Sequence, residues 1–312
     1  FSNGGKKKCF DDDRGLLFDE IIRIAKKKQP KFMFLENVKH ILKVSNGEVI
    51  KYIKKKIKSI NYQLQLFEIS PNEYGIPANR PRVYFVCIRN DIYNNKDIIL
   101  DDTKLNLTAE DIKDDNVDTK YNINDEVKNV LDAWDELIKQ FDVGEKINPC
   151  IFIDNYFNKY TEEEFNNIPK WISDCMIKNK KLIEKYIKII KPWYKKYKQL
   201  LSRRVIYGRL DWQCGPLKKN DSIYNHFIQF RQSGIRIKKA TDFPTLVAVN
   251  QTSIWGKYKR YITPREGARL QCFPDNFKLD KSNNVTYKQL GNSVNVYNVY
   301  TIISSTLKHY NM

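Results

Sequence analysis

The chain has 312 residues, enough for a sizeable buried core and for one large unit plus a smaller one or a long insertion. Its 13% aromatic and 41% hydrophobic content excludes a disordered chain, so the negative mean hydropathy reflects abundant lysine and asparagine. The formal charge of +18 suits a polyanionic partner, with nucleic acid foremost, although an AT-rich genome also produces this joint abundance of Lys, Asn, Ile and Tyr.

Six cysteines (Cys9, Cys87, Cys150, Cys175, Cys214, Cys272) are scattered without paired spacing, and only three histidines (His40, His226, His309) could join them. No zinc site is expected from that pattern, and reduced thiols in a cytoplasmic setting are. No apolar run is long enough to span a membrane. The first residues, beginning with Phe1, read as a loop in mid-course, so a truncated N-terminus is expected.

In chain order, Leu17, Phe18, Ile21, Ile24 and Ala25 fall at helical spacing, and Gln29-Pro30 stops the pattern. Residues 32–35 form a short apolar run that predicts a strand buried on both faces, hence a parallel sheet. Val49, Ile50, Ile53 and Ile57 predict a second helix; residues 62–66 alternate at period two, and 83–88 read as a further strand. This alternation belongs to an open α/β sheet whose ligands sit at the carboxyl ends of its strands, where Glu36 and Asn37 stand. From about 91 to 250 the rhythm is lost, with an acidic stretch at 101–126 and lysine-rich helical segments at 178–200, as for an inserted region. Thr263-Pro264-Arg265-Glu266 then predicts a capped helix start. No Gly-x-Gly-x-x-Gly follows a strand, which disfavours a dinucleotide-binding protein.

Six segments, in this order, resemble the ordered motifs of the cytosine-5 DNA methyltransferase family. Phe1-Ser2 is similar to the end of the family's Pro-Cys-Gln-x-Phe-Ser segment; its nucleophilic cysteine would precede Phe1 by three residues. Residues 13–18 resemble a helix start that bounds the cofactor pocket, and 34–38 the Glu-Asn-Val motif. Residues 74–83 resemble the Gln-x-Arg-x-Arg region, with Ala78 where glutamine is usual. Residues 263–275 match the ninth motif and 289–294 the last. The resemblance covers roughly 1–90 and 236–312, and 233–236 and 243–247 also look like family sequence.

The resemblance implies an α/β fold: a Rossmann-like methyltransferase catalytic domain that uses S-adenosylmethionine, truncated at its N-terminus, with a smaller target-recognition domain inserted. The expected division is 1–100 catalytic, 101–277 target-recognition, and 278–312 returning to the catalytic domain. Glu36 is expected at cytosine N3, with Arg80 and Arg82 on the base's O2 side and Arg82 the more important. Leu16, Leu17, Asn292, Ser293 and Val294 would contact S-adenosylmethionine, and Ser2 would lie in a loop closing over DNA. Arg203, Arg204, Arg209, Gln213, Arg231 and Gln232 are the expected DNA readers, with Trp212 as a stacking face and the insertion's lysines on phosphates. The expected partner is double-stranded DNA, with a companion restriction endonuclease or a complementing N-terminal fragment as further partners. Two alternatives stay open: a non-catalytic or split DNA-binding subunit, and an RNA-directed relative.

Overall fold

The computed structural model describes residues 13–147, 151–153, 161–247 and 252–312. The backbone divides into two units, residues 1–106 with 294–312, and residues 107–293. In chain order the first unit holds α1 (Asp13–Lys28), β1 (Phe32–Val38), α2 (Glu48–Ser59), β2 (Tyr62–Ile69) and β3 (Arg82–Arg89). The second holds α3 (Asp125–Ile138), β4 (Ile151–Phe152), α4 (Glu162–Asn167), α5 (Lys170–Lys185), α6 (Ile187–Leu201), β5 (Arg209–Gln213), β6 (Phe227–Arg231) and β7 (Gly234–Lys238). It continues through β8 (Ile254–Trp255), β9 (Arg260–Tyr261), α7 (Pro264–Leu270) and α8 (Asn283–Asn292), and α9 (Val296–His309) returns to the first unit.

The first unit's sheet corrects the expectation of parallel pairing. β3 inserts between β1 and β2 and pairs antiparallel with both. Because alternate residues face opposite sides of a strand, Met33, Leu35, Leu64, Leu66, Val83, Phe85 and Cys87 share one face. They pack with Ile22 and Ala25 of α1 and with Val49, Ile53 and Ile57 of α2, whose four-residue spacing forms a single apolar stripe. Phe32, Phe34, Glu36, Arg82 and Tyr84 share the other face, against which Tyr310 at the end of α9 sets its ring 5.3 Å from that of Phe32. Among the described residues β1 pairs with β3 alone and Met33 is its one buried residue, so the expected burial on both faces of this run is not seen there. α1 also turns a different side inward than its apolar count suggested: Leu17, Ile21 and Ile24 remain 63%, 38% and 52% exposed.

The inserted region builds a core of its own. Trp134 of α3 packs on Trp193 of α6 with ring centroids 5.1 Å apart, and both indoles donate to backbone carbonyls, Trp134 to Tyr207 at 2.8 Å and Trp193 to Ala133 at 2.7 Å. This anchors the helices against a six-stranded sheet of order β4-β5-β7-β6-β8-β9, in which β5 and β7 run parallel. The division falls at 106/107 and 293/294, where the sequence reading put 100/101 and 277/278. α8 stays with the second unit because the buried Gln271 side chain donates to the Leu290 carbonyl at 3.1 Å.

Gly234 opens β7 at φ +135°, and a Cβ there would lie 2.7 Å from Arg209 Cβ and 2.8 Å from its carbonyl oxygen. Both the backbone conformation and the close approach demand glycine. Gly234→Ala is expected to destabilise the second unit by about 1–3 kcal/mol by straining the β5–β7 pairing. A thermal midpoint equal to that of the unaltered chain would remove this account.

Candidate active site

Glu36 stands near the carboxyl end of β1, directly opposite Tyr84 of β3, and Val38 lies opposite Arg82. Cross-strand neighbours put their side chains on the same face, so the carboxylate, the phenol and the guanidinium are gathered by register alone. Arg82 Nε lies 2.9 Å from Glu36 Oε1, with the side chains 13% and 28% exposed. Arg80 precedes the strand and is nearly buried; its backbone N–H donates to Ser70 Oγ at 3.0 Å. The chain leading to Arg80 passes through a 3-10 turn at Pro71–Tyr74 and through Gly75 at φ +68°, where a Cβ would meet the Asn106 backbone nitrogen at 2.7 Å.

Burial dominates the electrostatics. It raises the Glu36 carboxyl above its ordinary range, and the cations of Arg82 and Arg80 only partly oppose it. Burial, followed by the neighbouring charge of Arg82, pulls Arg80 down to about 10, and burial lowers Arg82 likewise. Burial and the charge of Glu36 push Tyr84 up to about 12, with the Asn298 amide opposing. The cluster therefore combines a carboxyl that holds its proton more readily than usual with two desolvated guanidiniums. Such a set can donate to one ring nitrogen and stabilise developing charge on a neighbouring oxygen.

Tyr84 and Asn298 were not anticipated. The Tyr84 hydroxyl, on the residue opposite Glu36 in the sheet, and the amide of Asn298 are buried against one another. Tyr84 was discoverable, being two residues beyond Arg82 on a strand, whereas nothing local marks Asn298, which comes from α9. Cys87 and Cys214 are buried thiols pushed up to about 12 by desolvation, which makes them poor nucleophiles.

The other expected ligand residues are distributed as follows. Leu16 lies in the first turns of α1 and the Leu17 side chain projects outward from that helix. Asn292 ends α8 with an exposed side chain, Ser293 Oγ donates to the Leu290 carbonyl at 2.8 Å, and Val294 begins the returning segment of the first unit. Ser2 lies outside the described residues.

In the second unit, Arg204, Arg231 and Gln232 come together on a cavity of 520 Å³ also lined by Lys120, Asn283 and Tyr287. Arg204 sits 5.3 Å over the Tyr207 ring. Burial, and then the cation of Arg236, lower the Arg231 pKa; the nearest offsetting carboxylate, Asp211, is already held by Arg236 at 2.7 Å. Gln213 donates to the same Asp211 at 3.2 Å, Arg203 is exposed, and Arg209 begins β5. Trp212 is no stacking face: it points into the core, 3% exposed, and its indole donates to the Gly215 carbonyl at 2.9 Å.

Among solved structures, a DNA modification methyltransferase encoded within an E. coli prophage matches 97% of this chain and 77% of its own, with a TM-score of 0.52 at 19% identity. The α/β fold is thus one shared with that methyltransferase. The C-5 cytosine-specific DNA methylase profile matches residues 1–308, and the chain belongs to that family. Type II methyltransferase M.BanI of Aneurinibacillus aneurinilyticus is 28% identical over 99% of this chain and 78% of its own length. Type II methyltransferase M1.ScrFI of Lactococcus lactis subsp. cremoris is 29% identical over 99% of this chain and 59% of its own length.

Proposed function

We propose that the chain serves a type II DNA (cytosine-5-)-methyltransferase, holding a flipped-out cytosine at the Glu36 cluster while the second unit reads the surrounding duplex. The observation that carries this reading is the partly buried carboxyl of Glu36, in register with Tyr84 and paired with Arg82, in a chain of this family. Cytosine C5 is a weak nucleophile until a thiolate adds at C6 and pushes electrons toward N3. Glu36 would meet that charge with its proton, and Arg82, with Arg80 behind it, would hold the O2 side in a partly desolvated site. The thiolate would come from a cysteine other than Cys87 or Cys214, whose thiols stay protonated. S-adenosylmethionine, when bound, supplies the methyl group, and Leu16, Leu17, Asn292, Ser293 and Val294 are the residues proposed to hold it.

A base inside a stacked duplex cannot reach such a cluster, so the target must be extruded at a cost of about a few kcal/mol. The second unit would supply the grip, with Arg204, Arg231 and Gln232 around one cavity, and Arg203, Arg209 and Gln213 near it in sequence. The test is to incubate the complete protein with duplex DNA and labelled S-adenosylmethionine and locate the label. Methyl on cytosine C5 is expected; label confined to an exocyclic amine or to RNA would overturn the reading.

Arg231→Ala is expected to weaken duplex binding and to lower the slope of log Kd against log salt by about 1, the signature of one lost phosphate contact. If the slope stays the same and discrimination between sequences relaxes, Arg231 reads a base edge instead. If neither changes, the cavity is not part of the interface.

A further inference from the structure

α6 carries a row of lysines that the active-site and cavity residues do not account for. Lys188, Lys191, Lys195 and Lys198 recur at intervals of three and four residues, which aligns them on one exposed face. The opposite face, with Ile190, Trp193, Tyr194 and Leu201, is buried in the second unit's core. Lysines beside the row are already partnered: Lys196 with Glu136 at 2.8 Å, and Lys185 with Glu145. The four in the row form no ion pair among the described residues. Like charges at this spacing repel one another along the helix, so the row is held at an electrostatic cost that a line of anions would remove.

The dimensions identify such a line. Ten residue steps along a helix cover about 15 Å at about 1.5 Å each, and one strand of duplex DNA presents a phosphate about every 3.4 Å along its axis. Four lysines thus face about four phosphates. We propose that this row is a second, sequence-independent DNA contact, a rail along the phosphate backbone supplied by the inserted region and separate from the Arg204–Arg231 cavity. The proposal rests on the reading of duplex DNA as the partner. It divides the labour of the second unit: the cavity residues discriminate, and the helix contributes affinity and salt dependence.

The experiment measures binding of the 312-residue chain to a short mixed-sequence duplex over a series of salt concentrations. The variant replaces Lys188, Lys191, Lys195 and Lys198 by glutamine; a charge-matched control replaces Lys51, Lys54, Lys55 and Lys58 on α2. The slope of log Kd against log salt should fall by about 3 to 4 in the row variant, at about 0.9 per phosphate, and by less than 1 in the control. Equal falls in both would show an effect of net charge alone and overturn the rail, as would an unchanged slope in the row variant. If the unaltered chain binds no duplex, or the row instead governs binding to phosphatidylserine vesicles, the DNA reading fails and the rail with it. The pairs Lys188→Gln/Lys191→Gln and Lys195→Gln/Lys198→Gln, each expected to show about half the effect, keep the test valid if the fourfold variant does not fold.

Discussion

Glu36→Gln in the complete protein is expected to lower methyl transfer by about 10²–10⁴-fold, the range for loss of a positioned general acid, with duplex affinity nearly unchanged. Glutamine keeps the size of the side chain and an acceptor for Arg82 Nε, which now sits 2.9 Å from the carboxylate. What it lacks is a proton that can move to N3 as the ring becomes electron-rich. Single-turnover transfer and duplex binding, measured on the same preparation, separate chemistry from recognition. Turnover within a few-fold of the unaltered protein would remove Glu36 from the mechanism.

The same variant makes a second test, independent of activity. The folded-state pKa of Glu36 lies above its ordinary value near 4.5, chiefly through burial. The folded protein therefore retains a proton that the unfolded chain releases. The associated stability is complete below the unfolded value and declines as pH rises through the raised folded value. Glu36→Gln cannot ionise, so its thermal midpoint should gain on that of the unaltered chain as pH increases above about 4.5. A difference constant across that window would show that Glu36 is not desolvated as described.

The largest effect on stability is expected from Glu266→Ala. Glu266 is fully buried and its carboxylate accepts from Arg260 Nη1 at 2.8 Å and Nη2 at 2.6 Å, and from the backbone N–H groups of Thr263 at 2.8 Å and Asp114 at 3.0 Å. It is the reciprocal half of the capping box with Thr263 that starts α7. Truncation would strip the cap and leave the buried Arg260 cation without its counter-charge, a loss of about 3–5 kcal/mol. For a unit of this size that lowers the midpoint by roughly 6–20 °C. The double variant Arg260→Met/Glu266→Met should lose markedly less than Glu266→Ala, because neither charge is then stranded. If the double variant is the less stable of the two, or Glu266→Ala costs under about 1 kcal/mol, the ion pair is not the fastening described.

This fastening also gives the Thr-Pro-Arg-Glu segment a physical role. Three residues beyond Glu266, Arg269 donates to Asp114 at 2.9 Å, to the carbonyls of Ile112 and Lys113 at 3.2 and 3.0 Å, and to Asp275 at 2.8 Å. The segment from 260 to 275 thereby ties down the stretch around 112–114, which has almost no regular structure of its own.

Patterns carried by neighbouring residues were enough to locate α2 from Val49, Ile53 and Ile57, β3 from its apolar run, and α7 from Thr263, Pro264 and Glu266. Caps and amphipathic stripes are set by residues within a turn or two of one another, so the sequence by itself determined them. It determined likewise that Glu36 stands near a strand's carboxyl end and that two arginines flank the start of another. Only the tertiary structure decided that β3 inserts antiparallel between β1 and β2, and it is this register that sets Glu36 beside Tyr84 and within reach of Arg82. It also decided that α9 brings Asn298 to the cluster, that Ile22 and not Ile21 or Ile24 faces the core, and that Trp212 turns inward. Strand pairing and the burial of one helix face depend on residues far apart in the chain, whose meeting leaves no local period to read.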